Sequence, residues 1–254
     1  MYFSKKLGQL KNIKHCFFSK NGGVSKDIYS SLNCGFGSND KENNILNNLA
    51  IVSKKIGISK NNLFLMNQSH SNRVVTINEN NKNIQRINAD ALITKLENIA
   101  ISVLTADCVP ILIYDEVNRV VACIHAGWKG AVSGIIKNTL NKIVSMDKNN
   151  KIYVAVGPCI GTKNYEIGKE FYDQFIKENK KNEIFFLHSK QDKFLFDLRK
   201  YVNFKIKEFD IEHVENIDFD TYAEKENLFS FRRSRQLGEK DYGRCISTIS
   251  LSRT

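Results

Sequence analysis

A chain of 254 residues with 42% apolar and 26% charged residues has the composition of an ordinary globular protein, long enough to bury a core without covalent crosslinks. Six cysteines without tight pairwise spacing argue against a disulfide framework and a C-x-x-C zinc knuckle. The net charge of +11 would suit attraction to phosphates, but its lysines are scattered and form no dense basic run, so we do not expect nucleic acid as a partner. The N-terminus lacks the apolar stretch of a signal peptide, and no apolar run is long enough to cross a membrane. We therefore expect a cytoplasmic protein with reduced cysteines.

Strands and helices are predicted to alternate along the chain. The predicted strands cover 72–77, 91–94, 100–105, 109–114, 120–125, 152–156, 184–187 and 245–251, and the predicted helices cover 43–56, 128–144, 169–179 and 199–208. No internal repeat or proline-rich hinge divides them. The order predicts one α/β (α+β) domain over residues 1–254, with a mixed β-sheet, an embedded hairpin, and helices packed on the sheet.

The hairpin is the most informative segment, because Cys108 begins one of its strands and His125 ends the other. A two-residue turn between Asp115 and Asn118 would place the thiol directly opposite the imidazole on one face of the sheet. The two central residues of that turn would be Glu116 and Val117, which do not favour the positive φ angles of a primed turn. A three-residue loop with Asn118 left-handed would shift the pairing by one position and separate the two faces. The sequence leaves both registers open.

His70 immediately precedes another predicted strand, so three possible metal ligands stand at strand ends. Two histidines and one cysteine would leave a fourth position open, as at a catalytic zinc. Alternatively, Cys108 and His125 form a nucleophile–base pair, or Cys108 is only a small buried residue. Asp107, next to Cys108, is a candidate for proton transfer or for ordering the strand end by hydrogen bonds.

Two further segments could bind an anion. The turn H-A-G-W-K-G-A at 125–131 leads into a predicted helix, where free N–H groups and Lys129 would attract phosphate. In L-F-S-F-R-R, Arg232 and Arg233 could bind phosphate, although a strand would send them to opposite faces. Each segment also has a plain structural interpretation, as a sharp strand-to-helix turn and as a solvated basic edge. Trp128 could likewise stack on a base or cover the core.

At this point the motifs are recognisable. In order along nearly the whole chain they are G-G-V-S at 22–25, S-L-N-C-G at 31–35, Q-S-H at 68–70, D-A-L-I-T at 90–94, T-A-D-C-V-P at 105–110, H-A-G-W-K-G at 125–130, V-G-P-C-I-G at 156–161 and F-S-F-R-R at 229–233. This series resembles the YfiH family, also called the laccase-domain or multicopper polyphenol oxidase-like family. The resemblance implies a zinc site formed by His70, Cys108 and His125, with Cu²⁺ as a second possible metal. It also implies a purine nucleoside phosphorylase for adenosine, inosine and methylthioadenosine that deaminates adenosine, with nucleoside and phosphate as its small-molecule partners.

Several positions depart from the usual motifs of that family. Lys20 and Leu49 stand in segments where many members carry T-R and N-R, and Asp220 stands where many carry the cysteine of C-T. Many members have T-G-R where this chain has Tyr242-Gly243-Arg244. The metal ligands are intact, whereas the anion-binding periphery is altered.

Three other functions are compatible with parts of the sequence. The first is a cysteine amidase or editing hydrolase for peptidoglycan precursors, with Cys108 as nucleophile and His125 as base. The second is copper-dependent oxidation of phenols, which we do not expect because the chain lacks repeated H-x-H pairs. The third is a non-enzymatic nucleic-acid binder, for which only the charge argues.

Overall fold

The computed structural model describes residues 1–84, 87–147 and 149–252, so the predicted domain of 1–254 includes a few residues outside the described ranges. The α-helices are α1 (Lys5–Gly8), α2 (Glu42–Ile56), α3 (Trp128–Val132), α4 (Ile135–Val144), α5 (Lys169–Glu178), α6 (Leu198–Ile206) and α7 (Phe231–Gln236). The strands are β1 (Ile13–Phe17), β2 (Leu63–Phe64), β3 (Met66–Asn67), β4 (Val74–Ile77), β5 (Ile87–Asn88), β6 (Ala91–Thr94), β7 (Ala100–Thr105), β8 (Val109–Asp115), β9 (Val120–Ala126), β10 (Ile152–Val156), β11 (Glu166–Gly168), β12 (Phe186–Lys190), β13 (Lys193–Phe196), β14 (His213–Asn216) and β15 (Cys245–Leu251). Within these ranges, no helix combines the length and the apolar character needed to span a membrane.

A six-stranded mixed sheet forms the centre, in the order β14-β10-β8-β9-β6-β4. Its four inner strands pair antiparallel, and each edge strand pairs parallel with its neighbour. Every residue of β8 and β9 is buried, because successive side chains of a strand point to opposite faces and both faces are covered. Ile111 and Ile113 pack toward α4, α5 and α6, whereas Leu112 and Tyr114 pack the other way.

A second sheet of four strands, β1-β15-β7-β2, covers that other face and was not predicted. Ile101 and Ile249 of this sheet join Leu112 in the core between the two sheets. On its outer face, Ile246 packs against Leu49 of α2. The chain therefore folds into four layers of helices, sheet, sheet and helix. The predicted mixed α/β fold with an embedded hairpin and packed helices is confirmed.

Both predicted registers of the hairpin are wrong. Pro110, not Cys108, lies opposite His125, because the connection is a four-residue loop. The carboxylate of Asp115 accepts the N–H groups of Val117 and Asn118 and so holds this loop. Arg119, with φ 49°, takes the left-handed conformation predicted for Asn118.

The observed register still brings the thiol and the imidazole together. Cys108 precedes Pro110 by two residues, so it reaches the same face of the sheet as His125, diagonally rather than directly opposite. The predicted helix at 128–144 is divided into α3 and α4 at Gly134, whose φ of +96° ends the first segment.

Candidate metal centre and active site

The three predicted metal ligands converge at one end of the six-stranded sheet. His70 lies in the loop between β3 and β4, Cys108 in the crossing from β7 to β8, and His125 near the end of β9. Their donor atoms all lie within 4.8 Å of one another. Cys108 Sγ is 3.7 Å from His70 Nε2, and the centroids of the two imidazole rings are 4.8 Å apart. One ion could therefore contact all three side chains, which we call the His-Cys-His cluster.

Asp90 orients both histidines, a role that the sequence analysis did not assign. Its buried carboxylate accepts the Nδ1–H of His125 at 2.8 Å and the main-chain N–H of His70 at 3.0 Å. It also accepts the N–H and the hydroxyl of Ser71. With Nδ1 engaged, His125 presents Nε2 to the cluster, an arrangement common behind metal-binding histidines. An aspartate just before the buried strand Ala91–Thr94 was the signal that could have revealed it, because a buried carboxylate needs such partners.

The charges of the cluster favour a thiolate beside an imidazolium. Burial alone would raise the pKa of Cys108, but the charge of His125 and hydrogen bonds from both histidines lower it to about 7. Burial would likewise lower the pKa of His125, but the Cys108 thiolate and Asp90 raise it to about 9. Burial opposes the charge of Asp90 too, yet hydrogen bonds from His125 and Ser71 hold its pKa well below the usual range. The thiolate is the form of cysteine that binds metals and attacks electrophiles.

Two neighbours shape the space around His70. A Cβ on Gly127 would stand 2.5 Å from His70 Cδ2 and 3.0 Å from Cys108 Sγ, so a larger residue there would enter the cluster. The amide of Gln68 donates to the carbonyl oxygen of Leu104 and accepts the N–H of the same residue. Gln68 thus pairs with β7 as a strand would and fixes the loop that carries His70.

Two cavities adjoin the cluster and share His70, Ala106, Cys108 and Tyr242 in their walls. The first, which we call the Arg244 cavity, has a volume of about 330 Å³. The second, the aromatic cavity, has a volume of about 400 Å³. Both volumes are in the range of small-molecule sites.

Asp107 lines the aromatic cavity from a backbone with φ 86°. Its carboxyl group accepts the Thr221 hydroxyl and the main-chain N–H of Arg232, each at 2.6 Å. Burial raises the pKa of this carboxyl above its ordinary value, despite these hydrogen bonds. Asp107 thus orders the segment by hydrogen bonds and also faces a cavity. Both predicted roles, ordering of the strand end and proton transfer, are compatible with this position.

The three predicted anion-binding residues lie in different surroundings. Lys129 is exposed with its Nζ 5.6 Å from the centre of the Trp128 ring, and it lines neither cavity. Arg233 donates to three main-chain carbonyl groups of residues 221, 222 and 228. Arg232 lines the aromatic cavity and donates to the carbonyl oxygen of Glu166. The strand alternative for this segment is wrong, because the arginines lie on helix α7, which Ser230 caps.

Three of the residues that depart from the family motifs are used by the fold, whereas a fourth, Tyr242, lines both cavities. Leu49 is buried in the core beneath α2. Asp220 accepts hydrogen bonds from Asn164 Nδ2 and the N–H of Tyr222. Lys20 pairs through its main chain, and its Nζ lies 5.9 Å from the centre of the Phe229 ring. None of the three is among the described residues that line the two cavities.

The chain matches one family over nearly its whole length. Residues 14–252 match the family described as multi-copper polyphenol oxidoreductase laccase. The chain belongs to this family. The resemblance indicated by the short motifs is thereby confirmed, because the match extends over residues 14–252.

Relatives of this laccase-family chain include a protein from Rickettsia conorii named purine nucleoside phosphorylase. It is 35% identical over 214 residues, which are 82% of this chain and 88% of the relative. A protein of the same name from Haemophilus influenzae is 30% identical over 230 residues, covering 90% and 92% of the two chains. The crystal structure of Neisseria meningitidis protein NMB0706 is similar, with a TM-score of 0.84, 29% identity and 95% of each chain covered. That of the Bacillus licheniformis hypothetical protein YfiH has a TM-score of 0.88 at 26% identity, covering 94% and 93%.

The donor set of this laccase-family member fits a metal ion. Two imidazoles and one thiolate within a common radius are ligands that zinc accepts, and copper binds the same ligand types. The Asp90 contact supplies the outer hydrogen bond that such a site requires. The cluster is therefore a possible metal site, compatible with more than one metal.

Proposed function

We propose that this protein is a zinc-dependent purine nucleoside phosphorylase for adenosine, inosine and methylthioadenosine that also deaminates adenosine. The observation that carries the proposal is the His-Cys-His cluster in the wall shared by two cavities, each large enough for part of a nucleoside–phosphate pair. The names of the relatives support the same activity. His70, Cys108 and His125 would hold the metal, with Cys108 and His125 in the catalytic centre.

Phosphorolysis forms a bond between a phosphate oxygen and C1′ of the ribose while the bond from C1′ to the purine nitrogen breaks. The electron pair of that bond leaves with the purine, which takes up a proton. A metal bound at the cluster would supply positive charge where the transition state gathers negative charge. The residues of the chain bind and orient the reactants and exclude water. Asp107, from its place in the aromatic cavity, is our candidate for transferring the proton to the leaving group.

Deamination of adenosine would also take place in the aromatic cavity. A water oxygen bonds to the purine carbon that carries the amino group, and the bond from that carbon to the amino nitrogen breaks. Of the two protons of the water, one goes to the adjacent ring nitrogen and the other to the amino nitrogen. The leaving nitrogen takes up a proton and departs as ammonia. Asp107 is again our candidate for transferring that proton.

Incubation of zinc-loaded protein with adenosine and phosphate tests both reactions. We expect adenine with ribose 1-phosphate from phosphorolysis, and inosine from deamination. His70→Ala should abolish both, whereas His188→Ala, which changes an exposed histidine far along the chain, should leave both unchanged. If the loaded wild-type protein makes none of these products, the proposal is wrong.

One observation favours a second candidate, a cysteine amidase or editing hydrolase for peptidoglycan precursors. Asp90, His125 and Cys108 form the series in which a carboxylate orients a base beside a nucleophile. The thiolate would bond to an amide carbon, the amine would leave with a proton from His125, and water would then cleave the thioester. In such an enzyme Cys108→Ala abolishes hydrolysis of a precursor amide, whereas chelators spare it. Loss of hydrolysis on chelation would exclude this candidate.

A further inference from the structure

The two cavities beside the cluster differ in the chemistry of their walls. Apart from the His-Cys-His cluster, the described residues that line the Arg244 cavity include no aspartate and no glutamate, and Arg244 is the one among them that carries a full charge. The aromatic cavity is lined largely by rings and aliphatic side chains, and it includes the carboxyl group of Asp107. The Arg244 cavity therefore suits an anion, and the aromatic cavity suits an uncharged ring.

Arg244 is held so that its guanidinium can serve a ligand. Its main-chain N–H bonds to Asn33 Oδ1 at 3.0 Å, and its guanidinium lies 4.3 Å from the centre of the Tyr242 ring. Within the described part of the chain, the guanidinium donates one hydrogen bond, to the carbonyl oxygen of Tyr242, which is long at 3.3 Å and uses one of five N–H groups. A Cβ on Gly35 would stand 2.8 Å from Arg244 Cδ, so glycine makes room for this side chain. A guanidinium with free donors is well suited to phosphate.

The acidic side chain closest in sequence to Arg244 is Asp241, whose pKa the charge of Arg244 helps to lower, but whose hydrogen bonds go to other residues. Asp241 accepts the hydroxyl of Tyr29 at 2.8 Å and the N–H of Asn39 at 2.7 Å. It does not line the Arg244 cavity. An anion bound to Arg244 would therefore meet no carboxylate in the cavity wall.

The aromatic cavity suits a flat, uncharged ring. Trp128, Phe171 and Phe231 line it, and the Trp128 and Phe171 rings are 4.4 Å apart. Arg232, the one arginine or lysine among the described residues that line it, is partly engaged, because it donates to a carbonyl oxygen and lies 5.4 Å from the Tyr165 ring. A phosphate here would face the acceptor oxygens of Asp107, whereas a purine would gain stacking area and a hydrogen-bonding partner.

We propose that the Arg244 cavity binds phosphate and the aromatic cavity binds the purine, so that the bond to be broken lies at the wall that the cavities share. The proposal rests on the proposed function and extends it by assigning each reactant to a cavity. Arg244 takes the phosphate role that the sequence analysis gave to Lys129, Arg232 and Arg233. Phe231, 40% exposed at α7, is a specificity residue for the purine.

Intrinsic fluorescence tests the purine assignment without turnover. Trp128 is the single tryptophan of the chain and lines the aromatic cavity, so bound adenine should quench its emission. Phe231→Ala should weaken adenine binding about tenfold, since stacking on an aromatic ring contributes on the order of 1–3 kcal/mol per base. Phe204→Ala is the matched control. Phe204 is 38% exposed and, like Phe231, has one aromatic neighbour and one cation over its ring, but it lies outside the cavity.

The phosphate assignment is tested by kinetics and by calorimetry. Arg244→Gln should raise the KM for phosphate about tenfold or more and leave the affinity for adenine unchanged. Arg232→Gln should alter the KM for nucleoside and not the KM for phosphate. Circular dichroism confirms that each variant is folded, and Arg244→Lys, which keeps the charge, should show a smaller effect.

The outcomes separate this proposal from the function on which it rests. If Arg232→Gln raises the KM for phosphate and Arg244→Gln does not, the assignment is reversed and the proposal is wrong. Phosphorolysis without adenine quenching, or with equal quenching in Phe231→Ala, would also overturn it. If the protein is inactive yet binds adenine in a Phe231-dependent way and phosphate in an Arg244-dependent way by calorimetry, the cavity assignment stands and the proposed reaction fails.

Discussion

The glycine at position 127 leaves the space in which His70 and Cys108 meet. Its φ of −72° and ψ of 163° are open to any residue, so the requirement is for volume and not for backbone freedom. In Gly127→Ala the added methyl group would displace His70 from the cluster. We expect zinc affinity, measured by competition with a chromophoric chelator, to fall at least about tenfold in a folded protein.

A second glycine provides the control for this change. Gly168 has nearly the same backbone, with φ −84° and ψ 167°, also precedes a helix, and has open space where its Cβ would be. Gly168→Ala should bind zinc like the wild type. Equal affinities for all three proteins would mean that His70 is not a ligand or moves aside at no cost.

Asp90 should matter for metal affinity beyond its contribution to folding. Asp90→Asn removes the charge that accepts the His125 Nδ1–H and the His70 N–H, and we expect a loss of about 10–100-fold in zinc affinity. Asp115→Asn is matched, because Asp115 is equally buried and also accepts several main-chain N–H groups, but in the hairpin loop. Both variants should lower the free energy of unfolding, and only the first should weaken zinc binding. If both variants lose zinc affinity to the same extent, the role of Asp90 is only structural.

The sequence revealed the ligands themselves but not what positions them. Their places at strand ends made His70, Cys108 and His125 candidates, and the resemblance of the surrounding motifs to one family singled them out as a ligand set. Asp90 and Gly127 act through a hydrogen bond and through a missing side chain, and both depend on how distant segments meet. Arg232 and Arg233 are adjacent in sequence, yet one lines a cavity and the other binds main-chain carbonyl groups.

At the level of elements, the docking of α1 onto β1 depends on a neutral histidine. His15 Nε2 accepts the main-chain N–H of Ser4, the N-cap of α1, at 2.9 Å. Burial lowers the pKa of His15 from 6.5 to about 4, although the nearby Glu215 carboxylate acts in the opposite direction. The unfolded chain therefore binds a proton more readily than the folded protein between these two pH values. Stability is complete above pH 6.5 and decreases as the pH falls toward 4, by up to about 3 kcal/mol.

Chemical denaturation between pH 4 and pH 7.5 measures this loss. His15→Gln, which cannot take up a proton, should show a flatter dependence of the unfolding free energy on pH. His188→Gln, at an exposed histidine, should keep the wild-type slope. Identical slopes in all three proteins would mean that His15 has the same pKa in the folded and unfolded chains.

Elements with a strong local pattern were predicted well, and those that depend on pairing were not. The strands Ala91–Thr94 and Ile152–Val156 have the predicted bounds because each is a continuous apolar run. Strands β2 and β3 have two residues each and exist only because distant partners pair with them. The hairpin register depended on side-chain contacts of Asp115 within the loop, which alternation alone does not specify.

At the scale of the whole molecule, the cluster lies where the chain passes from one sheet to the other. Cys108 connects β7 of the four-stranded sheet to β8 of the six-stranded sheet, and His125 and His70 come from neighbouring segments. Each sheet has core contacts on its outer face, and the two sheets share a core between them. Two of the three cluster residues thus lie in connections between strands, where functional side chains are commonly found, and the third lies near the end of a strand.

A metal that contacts all three segments should stabilise the whole fold. Ligands that bind only the folded state add RT ln(1 + [L]/Kd), roughly 2.7 kcal/mol at a hundredfold excess over Kd. For a chain of this size that corresponds to an increase in Tm of roughly 5–11 °C. We expect this increase when zinc is added to chelator-treated wild type and to His188→Ala, and little increase for His70→Ala. Copper can be compared in the same assay. If the Tm of His70→Ala rises as much as that of the wild type, the stabilising ion binds elsewhere. The convergence of His70, Cys108 and His125 would then favour the second candidate, in which Asp90 orients His125 as the base beside the nucleophile Cys108.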